Sequence, residues 1–535
     1  MKHFLGKLLS LALCAALLLS LCPSGLAESA EKGELWLTDE KITLSLWYDF
    51  TQEQLGNMAD PNEADIFQWL EEQTNVHIDW IIPVSGTEKE SFNLLFANEK
   101  MPDILRTRNK YQYSEGAEAA VEDGYYLRLN ELLEEYAPNY MALVNSSDSI
   151  KKEVMTDSGL MWGMYFVYSG EGKACNYGPG IRKDLLDKTG LEMPVTYDDW
   201  HTVLTAFKDQ LGIEAPLFLN SRASSTHDDW MSGFGVNQDF FQVDGQVKYG
   251  PLEEGYGEYL EMMKQWYSEG LIYTDFALAS GDTPDETYIL NDRVGAWAAF
   301  ASVMGSQYYL TRGATNPDFM LTGTSFPVKN EGDVTHLRFA DTFVNEYAFA
   351  ISTDCEYPEI AVKWLDIFYN MKYNDYFNYG MREGESYVVN EDGTKSWGDL
   401  INHNPDGLTM GQARIRYTML NAPIENYTRV MGSWSEEQLQ SQREWLKGKD
   451  DWCLPDKLTP TADESREISA TMADVDTFVK EESVKIILGT SSYTYETFRS
   501  KLLDMGIEKK GHLRLSGGAG PLQRALRSVP SIGRP

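Results

Sequence analysis

Basic residues are scarce in this sequence, and their scarcity limits the partners that it suits. The 535 residues include 46 Lys and Arg against 82 Asp and Glu, which gives a formal net charge of −36 at pH 7. No stripe rich in Lys or Arg interrupts this excess of acid. Such a surface repels phosphate backbones and anionic lipids, so we expect neither nucleic acid nor a membrane surface as a partner. By net charge, a neutral or cationic solute fits better.

Apolar runs that could cross a bilayer are also lacking, because no segment reaches the roughly 20 apolar residues of a membrane helix. The one long run, 8–21, follows two lysines near the N-terminus and is typical of a signal peptide, here residues 1–27 with cleavage after Ala27. We therefore expect an exported protein, extracellular or at the cell surface. Lipid anchoring at Cys22 is the alternative. Leu21 argues against it, because a lipobox has a small residue at that position.

Cysteine is rare, and its pattern predicts no disulfide framework. Cleavage after Ala27 leaves Cys175, Cys355 and Cys453, an odd number without a Cys-x-x-Cys pair. We expect three small buried hydrophobic side chains. A single disulfide is the alternative that export allows.

The motifs of common enzyme classes are absent as well. The sequence contains no G-x-x-x-x-G-K-[ST], no G-x-S-x-G and no H-E-x-x-H, and its seven histidines show no metal-ligand spacing. Adjacent acids such as Asp228 and Asp229 could serve glycoside hydrolysis, but so acidic a chain contains such pairs by chance. We therefore predict no enzyme activity, no cofactor and no metal.

Alternating strand and helix patterns begin at Ile42. The sequence predicts, in order, a strand at 42–48, a helix that buries the apolar face of 66–70, a strand at 76–80, a helix at 88–98 and a strand at 101–105. This βαβαβ order predicts an α/β fold with a parallel or mixed sheet. Because the chain is longer than one hydrophobic core usually supports, we expect two lobes.

Later elements are marked by the residues at their ends. Thr196 and Asp199 form a capping box for a helix that ends at Gly212. Asp244-Gly245 and Asp392-Gly393, each between strand-forming runs, predict two hairpins.

The composition changes after Lys510. Residues 511–535 contain Arg, Gly and Pro but no carboxylate, in contrast to the acidic chain before them. Gly and Pro interrupt any helical period there. We expect a disordered basic tail outside the fold.

Five segments, in this order, carry a family resemblance: DIFQWLEEQTNVHIDW, FNLLFANEKMPDIL, GIRKDLLDKTGLEMPVTYDDWHTVLTAFKD, MMKQWYSEGLIYTDFA and YGMREGESYVVNEDG. Together they resemble extracellular solute-binding protein family 1, the carbohydrate-binding component of ABC importers, and in particular its large lipoprotein-like subgroup. The resemblance covers about 42–508. It is specific because of the order of the segments, since no single segment decides it.

The resemblance implies a fold of the periplasmic-binding-protein-like type II, with two α/β lobes, crossover hinge segments and a ligand cleft between the lobes. The first lobe is expected at 28–167 plus about 348–420, and the second at 168–347 plus about 421–510. The implied function is capture of a carbohydrate, an oligosaccharide by preference, for the membrane permease subunits of an ABC importer, by a monomer. Capture of a peptide or polyamine, or a secreted polysaccharide-active enzyme, are the alternatives.

The chain departs from the family pattern in one place that concerns metals. Large members often insert a calcium-binding loop resembling an EF-hand after the helix that ends in AFKD. Here 209–214 lead directly to Ala215-Pro216-Leu217. The insertion is missing, so we assign no calcium there.

Aromatic and polar side chains at the implied cleft would bind the sugar. In open α/β sheets ligands bind beyond the carboxyl ends of strands, which favours the residues that end the first strand. Other candidates end a later strand, precede a crossover or lie in the YGMREG segment. The candidate ligand-binding residues are Trp47, Tyr48, Asp49, Trp162, Tyr165, Trp230, Trp297, Arg382, Glu383 and Trp434. By contrast, Trp69, Trp200, Trp266 and Trp364 lie on apolar helix faces and are predicted to be core residues.

Overall fold

Two β-sheets of different size organise the chain in the computed structural model. The structure describes residues 32–507 apart from 51, 109–112, 157, 170–176, 220–229, 280–283, 339–343, 392, 420, 433 and 455–461. The predicted signal peptide, the basic tail, Cys175 and the pair Asp228-Asp229 lie outside the described residues.

The secondary structure elements alternate along most of the chain. The strands are β1 Ile42–Trp47, β2 Val76–Ile81, β3 Ile104–Thr107, β4 Gly163–Ser169, β5 Tyr177–Arg182, β6 Ala215–Leu217, β7 Phe240–Val243, β8 Gln246–Tyr249, β9 Val294–Phe300, β10 Leu321–Gly323, β11 Val344–Ile351, β12 Tyr387–Val389, β13 Lys395–Trp397 and β14 Ile424–Asn426. The helices are α1 Gln52–Leu55, α2 Asp65–Thr74, α3 Glu88–Leu95, α4 Ala117–Glu122, α5 Asn130–Tyr136, α6 Pro138–Val144, α7 Asp148–Val154, α8 Lys183–Thr189, α9 Tyr197–Leu211, α10 Glu254–Ser268, α11 Glu286–Leu290, α12 Ala301–Ala314, α13 Pro358–Asp366, α14 Asn374–Tyr379, α15 Asp399–Asn402, α16 Met410–Tyr417, α17 Tyr427–Gly432, α18 Glu436–Trp445, α19 Ala462–Ile487 and α20 Tyr495–Asp504.

The first sheet is six-stranded, in the order β14-β4-β11-β3-β1-β2. Its strands β1, β2 and β3 are parallel and alternate with α2 and α3, which confirms the predicted βαβαβ start. Strand β11 enters between β3 and β4 and runs antiparallel to both. The predicted core residue Trp364 is buried against this sheet, and Trp69 is partly buried.

The second sheet is four-stranded, in the order β10-β5-β9-β6. Its core includes Trp200 and Trp266, which are buried as predicted. Helix α18 packs on this sheet through Trp445, whose indole lies so close to Gly178 that a Cβ there would be 2.4 Å from the ring. The indole N–H donates to the Pro179 carbonyl (3.2 Å). Position 178 in β5 therefore requires glycine, because the indole of Trp445 leaves no room for a Cβ atom.

Local sequence signals set several element ends. The Thr196–Asp199 capping box forms at the start of α9, and Gly212 ends that helix with φ 68°. Strand β6 then starts at Ala215, so the helix and strand are joined without an insertion. The hairpin β7-β8 forms at Asp244-Gly245, and β12 pairs with β13 as predicted, while Asp392 lies outside the described residues.

The chain passes between the two sheets at three places, and all three lie at one edge of the first sheet. It leaves after Ser169 at the end of β4, returns before Val344 at the start of β11, and leaves again after α17, which directly follows β14. Strands β1, β3, β4 and β14 all end at this edge, because β11 is antiparallel to β3 and β4. We call it the crossover edge.

Two further features concern membranes and thiols. None of the helices among the described residues is both long and apolar enough to cross a bilayer.

Cys355 is buried and is not joined to Cys453 by a disulfide. Burial raises the pKa of the Cys355 thiol to about 12, so the thiol is protonated at neutral pH.

Candidate ligand site

A buried arginine lies at the centre of the crossover edge. The guanidinium of Arg106, in β3, lies between the ring of Tyr48 (4.4 Å to the centroid) and the ring of Tyr347 (3.7 Å), and it forms an ion pair with Asp49. Arg108 donates to the Tyr347 hydroxyl (2.6 Å) and lies 3.7 Å from the second carboxylate oxygen of Asp49. Three strands, β1, β3 and β11, therefore contribute to one charged and aromatic cluster.

Some donors of this cluster have no hydrogen-bond partner among the described residues. They are Nη2 and Nε of Arg106 and the hydroxyl of Tyr48, all buried. Burial, the largest cause, raises the pKa of Tyr48, so its phenol stays protonated and available as a donor. Leaving a buried donor unpaired costs about 1–3 kcal/mol, and a ligand that accepts these hydrogen bonds would recover part of that cost.

A β-bulge shapes the neighbouring strand. The pairing of β11 with β4 shifts register between Val344 and Ala348. The residues in between include Asn345, which donates to the Tyr168 hydroxyl (3.0 Å), and Tyr347, which covers Arg106. Bulges re-aim side chains and are frequent next to binding sites. Here the bulge directs polar side chains of the central strand along the crossover edge.

A second basic cluster lies where β14 ends. Glu425 accepts a hydrogen bond from Arg429 of α17, and both side chains are buried. The guanidiniums of Arg429 and Arg414 lie 5.4 Å and 5.6 Å from the ring centroid of Trp397. Glu425 is also close enough to Tyr48 to influence its pKa, so the two clusters are neighbours.

The second sheet presents aromatic side chains at the end where β5 begins after the first crossing. Tyr177, the first residue of β5, pairs with Phe300 at the end of β9, and their ring centroids are 5.8 Å apart. Phe218, just after β6, stacks on Tyr273 at 5.4 Å. Such rings are suited to contact the apolar faces of sugars.

Sequence relatives and solved structures resemble the chain in different ways. A segment of 234 residues is 30% identical to the fructooligosaccharide ABC transporter substrate-binding protein FusA of Streptococcus pneumoniae serotype 4. This segment covers 40% of this chain and 42% of FusA. The chain is 28% identical over 215 residues to lipoprotein LipO of Bacillus subtilis, covering 38% of this chain and 40% of LipO. The matched region thus spans about two fifths of these curated relatives.

In fold, the chain resembles a solved structure over almost its whole length. The crystal structure of alginate-binding protein AlgQ2 without calcium ion superposes with a TM-score of 0.72 at 20% identity, covering 93% of this chain and 100% of AlgQ2. No family model matches the chain. The chain is similar in sequence to FusA over part of its length, and similar in fold to AlgQ2 over almost all of it. Its fold is the type II fold of periplasmic-binding-like proteins, with two α/β lobes, as predicted.

Within this fold, three of the predicted site residues lie in the lobe cores. Trp47 packs edge-on against Phe92 (5.0 Å) and Trp230 packs edge-on against Trp200 (4.8 Å). Trp297 is fully buried in the second lobe. Strand β9 continues three residues beyond Trp297, so the indole lies within the sheet rather than at its end. In this conformation these rings offer no exposed face to a sugar.

Tyr48, Asp49 and Trp434 lie at or near the crossover edge, whereas Trp162 precedes β4 and Tyr165 lies in its first half, away from this edge. Tyr48 and Asp49 belong to the Arg106 cluster. Trp162 and Tyr165 contact each other (5.3 Å) and are buried in the core of the first lobe, while Trp434 is partly buried with its ring 6.4 Å from that of Tyr427.

The remaining pair, Arg382 and Glu383, has protein partners. Arg382 donates two hydrogen bonds to Asp65 on α2 (2.6 and 2.9 Å), and Glu383 accepts from the Tyr387 hydroxyl (3.3 Å). The ion pair ties the YGMREG segment to α2. The geometry therefore gives Arg382 a structural partner that the sequence did not reveal.

Sequence reasoning missed several residues of the edge. They are Arg106, Arg108, Tyr347, Trp397, Arg414 and Arg429. Tyr48 and Asp49 were selected because they lie at the carboxyl end of a strand. The same rule applies to Arg106 and Arg108, but the sequence predicts the third strand at 101–105, whereas it lies at Ile104–Thr107. Nothing in the local sequence marks Arg414 or Arg429, because their proximity depends on the tertiary fold.

Proposed function

We propose that the chain is an exported solute-binding protein that captures an oligosaccharide between its lobes and delivers it to the permease of an ABC importer. The observation that carries the proposal is the 30% identity to FusA, a fructooligosaccharide-binding protein of such a transporter, together with the type II fold. FusA is a substrate-binding protein, and we extend this to the whole chain as a binder without enzyme activity.

The crossover edge supports the proposal chemically. Its aromatic rings suit the apolar faces of pyranoses, and the unpaired donors of Arg106 and Tyr48 suit hydroxyl and ring oxygens. Among the predicted residues, Tyr48, Asp49 and Trp434 are our candidates for ligand contact. Because both lobes contribute rings, a bound sugar would favour lobe closure, a hinge motion that presents the liganded form to the permease.

A thermal-shift screen against a glycan library tests the function. A ligand at 100 times its dissociation constant adds about 2.7 kcal/mol to the free energy of unfolding, a clear rise in melting temperature. Spermidine and short peptides belong in the same screen, because the net charge of −36 would favour cationic solutes. We expect hits among oligosaccharides. Hits confined to polyamines or peptides would overturn the proposal.

A variant separates the site from the rest of the molecule. Asp49→Asn removes the charge that pairs with Arg106, and we expect it to weaken binding of the sugar found in the screen. Glu214→Gln is the control, because Glu214 pairs with Arg293 at the surface, just before β6 and β9 and at the opposite end of these strands from Phe218 and Phe300. Equal effects of the two variants would exclude the crossover edge as the site.

A further inference from the structure

The second basic cluster at the crossover edge carries more positive than negative charge. Within it, Arg414 and Arg429 share one carboxylate, that of Glu425, and only Arg429 bonds to it. Asp375, which like Arg429 is close to Tyr379, forms an ion pair with Lys395. Among the described residues, the guanidinium of Arg414 has no hydrogen-bond acceptor, and its Nε is buried.

This arrangement is costly without a further partner. Burial, and then the charge of Arg429, lowers the pKa of Arg414 to about 10, so the side chain is still charged at neutral pH. The Arg429 side chain is only 2% exposed, and its Nε also has no partner among the described residues. A buried cation and a partly buried one share a single anion, so a further anion at Arg414 would be stabilising, since poorly paired charge away from water is destabilising.

The position of the cluster indicates that the compensating anion belongs to the ligand. Arg429 lies in α17, directly before the last crossing to the second lobe, and Glu425 lies close to the Arg106 cluster. The excess charge thus faces the region where the proposed function puts the ligand. A guanidinium forms two parallel hydrogen bonds with a carboxylate, a geometry that a neutral hydroxyl cannot match.

Resting on the proposed function, we propose that the captured oligosaccharide is acidic, and that Arg414, supported by Arg429, binds a carboxylate of a uronate residue beside Trp397. The local charge thereby selects a class of sugar that the net charge of the chain would disfavour. Neutral oligosaccharides lacking the carboxylate leave the cation uncompensated and bind more weakly.

Matched pairs of sugars test this selection. Trisaccharides of galacturonate, glucuronate and mannuronate are each compared with the same trisaccharide after reduction of its carboxyl groups to alcohols, by isothermal titration at low salt. We expect at least one acidic member to bind about tenfold to a hundredfold tighter than its reduced counterpart, the range for a hydrogen bond to a charged group. Binding of the reduced member as tight as, or tighter than, that of the acid would overturn the inference.

Two variants on one helix locate the selecting group. Arg414→Gln should abolish the preference for the acid, so that the variant binds the acidic sugar no more tightly than the reduced one. Arg416→Gln is the control, because Arg416 lies on the same helix, α16, but is 3.8 Å from Glu63. Equal losses in the two variants would contradict the assignment. If only neutral glycans bind, the inference fails and the proposed function stands; if no glycan binds, both fail.

A measurement without ligand completes the test. Arg414→Gln removes a desolvated cation beside Arg429, so the ligand-free variant should melt at a higher temperature than the parent. A purely structural arginine would give the opposite sign. A lower melting temperature of Arg414→Gln would therefore contradict the inference independently of any sugar.

Discussion

Arg182, in the segment GIRKDLLD, has a structural role in the second lobe. Its side chain is fully buried, donates two hydrogen bonds to Asp184 (2.8 and 2.7 Å) and forms an ion pair with Asp292. The ring of Phe319 lies 4.5 Å from the guanidinium. The segment therefore joins β5 and α8 to the loop before β9.

Substitution of Arg182 tests this role. Arg182→Met would leave the buried carboxylate of Asp184 without its partner, which costs about 3–5 kcal/mol in the free energy of unfolding. Arg293→Met is the control, since Arg293 forms a more exposed pair with Glu214 and should cost no more than about 1 kcal/mol. Urea unfolding measures both. Equal losses would show that the buried pair contributes no more than a surface pair.

The same pair predicts a pH dependence. Burial alone would raise the pKa of Asp184, but the hydrogen bonds and charge of Arg182 outweigh it and lower the pKa. Because the folded pKa lies below the unfolded one, the pair stabilises the protein above about pH 4, and this contribution is lost as the pH falls through the folded value. The difference in melting temperature between the parent and Arg182→Met should therefore shrink between pH 7 and pH 3. A constant difference would contradict the assignment.

The sequence predicts the burial of individual side chains well where burial follows the helical period. It predicts burial poorly where contacts between distant parts of the chain determine it. Trp200, Trp266 and Trp364 are core residues as predicted, because their position on a helix face is encoded locally. Trp297 was placed at a strand end, and Trp230 among small residues, but both are buried by packing partners distant in sequence. Periodicity shows which face is apolar, not what covers it.

At the scale of elements, end signals such as capping boxes and Asp-Gly turns were reliable because they act within a few residues. The capping box of α9 and the hairpin β7-β8 formed as predicted. The course of β11 between β3 and β4 had no local signal, since it depends on pairing across more than two hundred residues of chain. That course brings Tyr347 to Arg106.

The direct passage from α9 to β6 predicts the response to calcium. Gly212 ends the helix and β6 starts at Ala215, so no loop is inserted where large family members often bind the ion. A chelator should therefore leave the melting temperature unchanged, because an ion that is not bound contributes no stability. A fall of several degrees, reversed by added calcium, would reveal a site elsewhere.

The end of the second lobe predicts which C-terminal residues matter. Helix α20 buries Phe498 and Leu502, and Ile507 is the last buried residue among those described. A chain truncated after Lys510 should keep its melting temperature. Truncation after Ser492 is the control, because it removes the buried side chains of α20 and their hydrophobic stabilisation. A large loss in the first truncation would show that the tail belongs to the fold.

At the scale of the whole molecule, net charge and local charge point in opposite directions. The value of −36 describes a surface whose charges are screened within about 10 Å at moderate salt. A buried cluster is screened much less, so Arg414 and Arg429 determine the potential that a ligand meets at their side of the crossover edge. The composition therefore predicts which partners are repelled at long range, but not what the site selects.

The central claim is that the chain binds an oligosaccharide reversibly and leaves it intact. Equilibrium dialysis against the best glycan of the screen, followed by prolonged incubation and mass spectrometry of the recovered sugar, tests both parts at once. We expect saturable binding and full recovery of the unchanged glycan. Shortened products that disappear when a carboxylate of the site is substituted would contradict the account, as would the absence of saturable binding by any glycan.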